Sequence, residues 1–364
     1  MNKSPDVIVV GAGIIGLMTA RELARSGLTV LLLERGQAGR EASRAAGGIL
    51  SPLYPWRCSG ALTMLAQWSQ SYYPVLADDL RRETGLDVEL TPSGLLIFDP
   101  EEHVAAEAWA RQHALPLDRI EPEALARCEP ALAGVRRAAL FLPTVAHIHN
   151  SKLLRALQES AMREGVPLRQ YAEVTGFLTE GDRVTGVCTS EGRLTAGSVV
   201  VACGAWAGQL LATLGIRLAV RPVRGQIIQF DGPPGLLGRI LLDGGHYLLA
   251  RRNGSLLAGS TVEEAGFDKA VTEVARAELA AAAARLLPLL AGAPIRRQWA
   301  GLRPASHDEL PYIGPHPAWR GLFVNTGHFR NGLTIAPASA RLLADLLLGR
   351  RPIVDPACYD PARS

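Results

Sequence analysis

The sequence predicts an α/β fold, α+β in detail, in which a Rossmann-like domain is interleaved with an antiparallel-sheet domain. Three observations lead there: a strand–turn–helix–strand unit at the start, a change to short paired strands near residue 86, and a return to the first pattern near residues 145 and 300. The boundaries follow as 1–85, 145–219 and 300–364 for the first domain, and 86–144 and 220–299 for the second. A chain of 364 residues also exceeds what one core usually supports.

Val7 to Val10 is a run of four β-branched residues and reads as a buried strand. Gly11, Gly13 and Gly16 follow at the G-x-G-x-x-G spacing, each with its own steric task. The first makes the tight turn, the second admits a pyrophosphate against the backbone, and the third lets the helix pack on the strand. Leu17, Ala20, Leu23 and Ala24 give the helix one apolar face, and Gly27 stops it. Leu28 to Leu33 is the second strand, and Glu34 ends it about 20 residues past the glycines, where a carboxylate accepts from a ribose diol. Free N–H groups and the helix dipole at the turn favour an anion, so the unit reads as a dinucleotide site. A nicotinamide dehydrogenase would continue with a second crossover helix. Here Arg35 leads instead into a small-residue loop, in which Ser43, Gly47 and Gly48 would let main chain lie against a flat ring or a second phosphate. Ser43 also suits a cap for the following turn.

Leu65, Trp68, Tyr72, Leu76 and Leu80 recur on one helical face, with Pro74 expected to kink or divide the helix. Asp87–Leu90 and Gly94–Phe98 read as paired strands around Thr91 to Gly94. Helices are expected over 101–113 and 121–127, a strand over 138–142, and a helix over 152–164 opened by Asn150 and Ser151. Strands follow over 171–179, 183–190 and 199–202, with Glu173-Val174 ending a strand near the adenine end of the dinucleotide; ordinary core packing is the alternative for Val174. Segments 221–230 and 240–259 return to antiparallel sheet, and Asn253-Gly254 predicts a type I′ hairpin turn. A helix over 271–290, a crossing segment over 298–304, a strand over 321–325, a loop over 326–334 and a last helix over 335–348 complete the chain.

Composition excludes several classes. Basic and acidic residues number 38 and 35, a net charge of +3 with no long single-sign block, so there is no nucleic-acid footprint. The five cysteines are scattered without a C-x-x-C pair and read as reduced thiols of a cytoplasmic protein. Pro5 and Asp6 interrupt the place of an apolar targeting segment. Residues 194–216 carry no charge over a bilayer-spanning length, but four glycines divide them into strand, turn and helix. His147 and His149 alternate as two imidazoles on one strand face; with no cysteine or acidic cluster beside them, they read as polar strand residues and no metal is expected.

Taken together, Val7 to Glu34, the Ser43-to-Gly48 loop, Tyr247, Gly301-Leu-Arg303-Pro304 and Gly327-His-Phe-Arg330-Asn-Gly332 resemble the D-amino-acid oxidase family of flavoproteins, and within it the bacterial glycine oxidases. The N-terminal part is common to many FAD enzymes, whereas the C-terminal motifs are specific to this family. The resemblance implies non-covalent FAD held by Gly11, Gly13, Ile14, Ile15, Gly16, Glu34, Arg35, Ala42, Ser43, Gly47, Gly48, Ile49 and Val174. It places His328, Phe329, Arg330, Asn331, Gly332, Leu333 and Thr334 near the flavin ring, and a substrate carboxylate between Arg303 and Arg330 with Tyr247 beside it. It further implies oxidation of glycine, sarcosine or D-alanine by dioxygen, supply of the imine for the thiamine thiazole, a homotetramer, and no residue acting as catalytic acid or base. The chemistry of the residues agrees: a buried carboxylate calls for a planar two-pronged partner, which guanidinium is. An ion pair of Arg303 with Asp308 or Glu309 is the structural alternative. The competing functions are a D-amino-acid or proline dehydrogenase feeding a quinone, a flavin subunit of a larger complex, and a tRNA-modifying flavin domain.

Overall fold

A computed structural model describes residues 4–363; residues 1–3 and 364, at the outer ends of the first domain's boundaries, lie outside it. Valine and leucine at successive positions bury both faces of the central strands. Val7, Val9 and Leu32 join one core while Ile8, Val10, Leu31 and Leu33 join another, the pattern of a parallel sheet covered on both sides. The sheet has six strands in the order Tyr312–Pro315, Leu322–Thr326, Ser198–Val201, Val7–Val10, Val30–Glu34 and Leu168–Gln170. All its pairings are parallel except that of the two C-terminal strands. Helices Ile14–Arg25, Gly60–Thr84, Asn150–Arg163 and Gly332–Leu347 contribute to the first core, and the three-stranded sheet spanning Val174–Thr195 contributes to the second.

The second sheet has eight strands in the order Ile295–Ala305, Arg221–Asp231, Ser255–Gly259, His246–Ala250, Ile240–Asp243, Leu95–Ile97, Ala139–Leu142 and Asp118–Ile120. One face, with Ile228, Phe230, Leu248 and Leu256, packs with helix Glu273–Leu286. The other carries Ile227, Tyr247, Leu249 and Leu257.

Several local expectations are corrected. Pro74 divides nothing: Gly60–Thr84 is one helix, because Pro74 sits on its exposed side while Leu65, Tyr73, Leu76 and Leu80 keep the inner face packed. Tyr73, rather than Tyr72, is the buried tyrosine, and Tyr72 stacks on Trp68 at 5.2 Å. Asp87–Leu90 is not a strand. The Asp87 carboxylate accepts from the Glu89 N–H at 2.8 Å in an Asx turn, and Leu95–Ile97 pairs with Ile240–Leu242 and Leu140–Leu142 instead. The hairpin at Asn253-Gly254 is not type I′, since only Gly254 has positive φ (87°); Gly254 N–H donates to Arg251 O at 2.9 Å, giving a three-residue loop closed by a left-handed glycine. Val174 begins a strand instead of ending one. The last helix starts at Gly332, three residues early, after a 3-10 turn at Phe329–Asn331. No helix among the described residues is long and apolar enough to cross a membrane; 198–214 folds as a strand and short helical turns.

Candidate active site

A cavity of about 830 Å³ lies between the two sheets, near the upper limit for small-molecule and cofactor sites. At one end the first strand delivers Gly11, whose φ of 104° and 2.7 Å clearance from Ala202 O to a built Cβ leave room only for glycine. Helix Ile14–Arg25 then starts at Gly13, and Gly13, Ile14 and Ile15 at its N-terminus line the cavity. The sequence suits Ser43 to cap the following turn, but it lies inside the short helix Ala42–Ala45 and caps nothing there; its Oγ instead accepts from the Ile14 N–H at 2.9 Å and so fixes the loop against the helix that starts at Gly13. Glu34 accepts from the Ala12 N–H at 2.9 Å and the Gly36 N–H at 3.0 Å, which orients its carboxylate on the cavity wall. Arg35 lies over the Trp206 ring at 3.7 Å.

At the other end the second sheet delivers Tyr247 and Arg303. The Arg303 side chain lies across Gly225, where a Cβ would fall 2.1 Å from Nη2. Nη1 donates to Thr261 O at 3.0 Å and Arg224 O at 3.4 Å, and Nη2 to Ser260 Oγ at 2.8 Å. Asp308 is taken by Arg363 at 3.0 Å, so the Arg303 ion pair weighed from sequence does not form. The guanidinium therefore has no carboxylate partner among the described residues, and Nε with the remaining Nη2 hydrogen is free for a two-pronged ligand. Burial, then the neighbouring Arg330, lowers its pKa to about 10, so it stays cationic at neutral pH. Tyr247 is buried and its phenol is raised to about 12, chiefly by burial, so it is a neutral donor there. Arg330 reaches the cavity from the 3-10 turn and is exposed. Phe329 (φ 44°) and Glu309 (φ 63°) hold left-handed backbone at the same wall.

Of the residues assigned from sequence, all line the cavity except Gly16 and Thr334. Both act one layer behind: a Cβ on Gly16 would sit 1.8 Å from Gly11 O, and the Thr334 hydroxyl donates to Ile49 O at 3.3 Å. Sequence reasoning missed Gly225, Ser260, Trp206 and Asn325. A glycine inside a β-rich run marks close approach of another group, and that signal would have found Gly225. Asn325 is fully buried on the cavity wall with its Oδ1 unpartnered.

No group of three or more histidine, cysteine or acidic side chains placed to hold a metal ion occurs among the described residues, around His147 and His149 included. Burial first lowers both His147 and His328 to about 3, with Arg251 adding to the effect at His147. A histidine whose folded pKa lies below its unfolded value near 6.5 stabilises the protein above 6.5 and loses that contribution as pH falls toward 3. Each should cost roughly 2 kcal/mol by pH 5, so the melting temperature should fall between pH 7 and 5, and His147→Gln should flatten that slope. An unchanged slope in the variant would mean that His147 is not buried and neutral.

The model of the family described as DAO, FAD dependent oxidoreductase, matches residues 6–346. The chain belongs to this family. Its cofactor is FAD, and the cavity fits it: a helix N-terminus and an oriented carboxylate at one end, the uncapped N-terminus of the helix at Gly332 and an unpartnered buried amide oxygen further along. Among members of the DAO family, a glycine oxidase of Pseudomonas aeruginosa is 50% identical over 360 residues, 99% of this chain and 99% of that protein. A bifunctional protein ThiO/ThiG of Nostoc sp. is 33% identical over 95% of this chain and 53% of that protein. The crystal structure of glycine oxidase from Geobacillus kaustophilus superposes with a TM-score of 0.92 at 33% identity, covering 99% of each chain.

Proposed function

We propose that this chain is a glycine oxidase-like FAD enzyme. It oxidises glycine and other small amino acids, sarcosine and D-alanine among them, to the imine, which water converts to the 2-oxo acid and ammonia or amine, while dioxygen becomes hydrogen peroxide. The imine from glycine supplies the thiazole of thiamine. The observation that carries the reading is Arg303, a largely buried guanidinium with no acid partner and two free donors at the far end of a dinucleotide cavity.

Bound FAD supplies a two-electron acceptor for the Cα hydride. Arg303 holds the carboxylate by its fork, Arg330 adds charge at the mouth, and Tyr247 donates from beside them. Three guanidinium groups act on the Tyr247 phenol, those of Arg303, Arg251 and Arg330, and the same positive field favours a substrate amine that has lost its proton. The reading assigns no residue as catalytic acid or base, and Tyr247 and His328 are both neutral at neutral pH. The N-terminus of helix Gly332–Leu347 points its dipole at the cavity, where it favours negative charge.

Residues 1–85, 145–219 and 300–364 form the cofactor domain in this reading, and 86–144 and 220–299 the substrate domain, with strand Ile295–Ala305 crossing between them. The enzyme works in the cytoplasm as a homotetramer. Acid should release free FAD from the precipitated protein, and glycine should drive oxygen uptake with stoichiometric peroxide. Colour retained by the polypeptide would show covalent attachment, and turnover only with a quinone would show a dehydrogenase. Glu34→Ala loses the ribose contacts and frees the Ala12 and Gly36 N–H groups, so FAD binding should weaken ten- to a hundredfold, roughly 1.5–3 kcal/mol. Titration of the apoprotein with FAD measures this, and wild-type affinity would remove Glu34 from the site.

A further inference from the structure

We propose that Arg251 is a positioning residue of the cofactor site, a buried positive charge behind the Gly47–Gly48 wall that raises the reduction potential of the bound flavin. The proposal rests on FAD occupying the cavity. Period-two alternation puts Tyr247, Leu249 and Arg251 on one face of the sheet, so Arg251 extends the row that Tyr247 begins. It is only 5% exposed. Its guanidinium donates to Gly47 O and Ile148 O at 2.7 Å each, to Asn150 Oδ1 at 3.3 Å, and lies 3.3 Å from His147 Nδ1. Every partner is neutral: burial keeps His147 uncharged, and the carboxylate whose charge acts on Arg251, Glu89, is paired with Lys152 at 2.5 Å.

A buried cation satisfied only by dipoles costs desolvation that a paired or apolar residue would avoid. Its field is correspondingly uncancelled and reaches the cavity through one residue. A Cβ on Gly48 would lie 2.8 Å from Nη2, and Gly48 itself lines the cavity. Two electrons and one proton added to the neutral oxidised ring leave an anion, so a fixed positive charge behind the wall favours the reduced form. This also absorbs the His147 motif: its imidazole is the neutral acceptor at the guanidinium, not a metal ligand.

Two substitutions cancel the charge independently. Arg251→Met removes it, and His147→Glu sets a carboxylate beside it without touching Tyr247 or Arg303. The two-electron midpoint potential of the FAD-loaded protein, measured against reference dyes, should fall in both by a tenfold change in the reduction equilibrium, about 30 mV. Arg251→Lys, which keeps the charge, should stay within threefold of wild type. A wild-type potential in either charge-cancelling variant that folds and binds FAD overturns the proposal, and His147→Glu decides alone where Arg251→Met does not fold. Failure of the wild type to bind FAD would instead defeat the cofactor assignment.

Discussion

Arg303→Ala is expected to lower kcat/KM for glycine by about 3–5 kcal/mol while leaving FAD content and melting temperature close to wild type. The size follows from what the guanidinium lacks. Its contacts are neutral oxygens of Ser260, Thr261 and Arg224, so its charge and two donors are held for a ligand carboxylate. Arg303→Lys should recover little, because one ammonium cannot form the fork. An amine without a carboxylate should be a poor substrate of the wild type and little affected by the substitution. If Arg303→Ala keeps the wild-type KM for glycine but unfolds or loses FAD, Arg303 is a structural residue and Arg330 alone binds the carboxylate.

Gly225→Ala should produce a loss of similar kind without touching a charged group. The new methyl would occupy the space of the Arg303 guanidinium, 2.1–2.2 Å from three of its atoms. That guanidinium is the end of a flexible side chain, so it swings away and the strand survives; the displaced fork then misses the substrate. A fall in kcat/KM of about 2–4 kcal/mol is expected, with normal FAD content and a melting temperature within a few degrees of wild type. Unchanged kinetics would show that the guanidinium has room to bind substrate from another position.

The dinucleotide end of the molecule was legible because its function is written in local chain geometry. Gly11, Gly13 and Glu34 reach the cavity wall through backbone turns and a strand end, and each is set by spacing within 34 residues. Arg303 was legible in type but not in partner. Asp308 and Glu309 stand close in sequence, and only the tertiary fold shows that Asp308 goes to Arg363 and that neutral oxygens face Arg303. Gly225 carried a legible signal, a glycine inside a β-rich run, but not the identity of the group that crosses it, and Ser260 was opaque because it meets Arg303 across strands at a pairing that sequence does not fix. Arg251 and Arg252 stand side by side at the hairpin and nothing in their spacing separates them, yet Arg251 is buried and Arg252 binds Asp87 at 2.8 Å. Pro74 is expected to kink or divide its helix, and the division does not occur: Gly60–Thr84 continues through the proline, which lies on the exposed side while Tyr73, Leu76 and Leu80 pack inward.

The most direct test of the account is anaerobic mixing of the FAD-loaded protein with glycine, following the flavin absorbance near its long-wavelength maximum. Wild-type protein should bleach fully in one turnover, and Arg303→Ala should bleach far more slowly at the same glycine concentration. Persistent oxidised flavin in the wild type with glycine, sarcosine and D-alanine alike, or equal bleaching rates in the two proteins, would contradict amino-acid oxidation directed by Arg303.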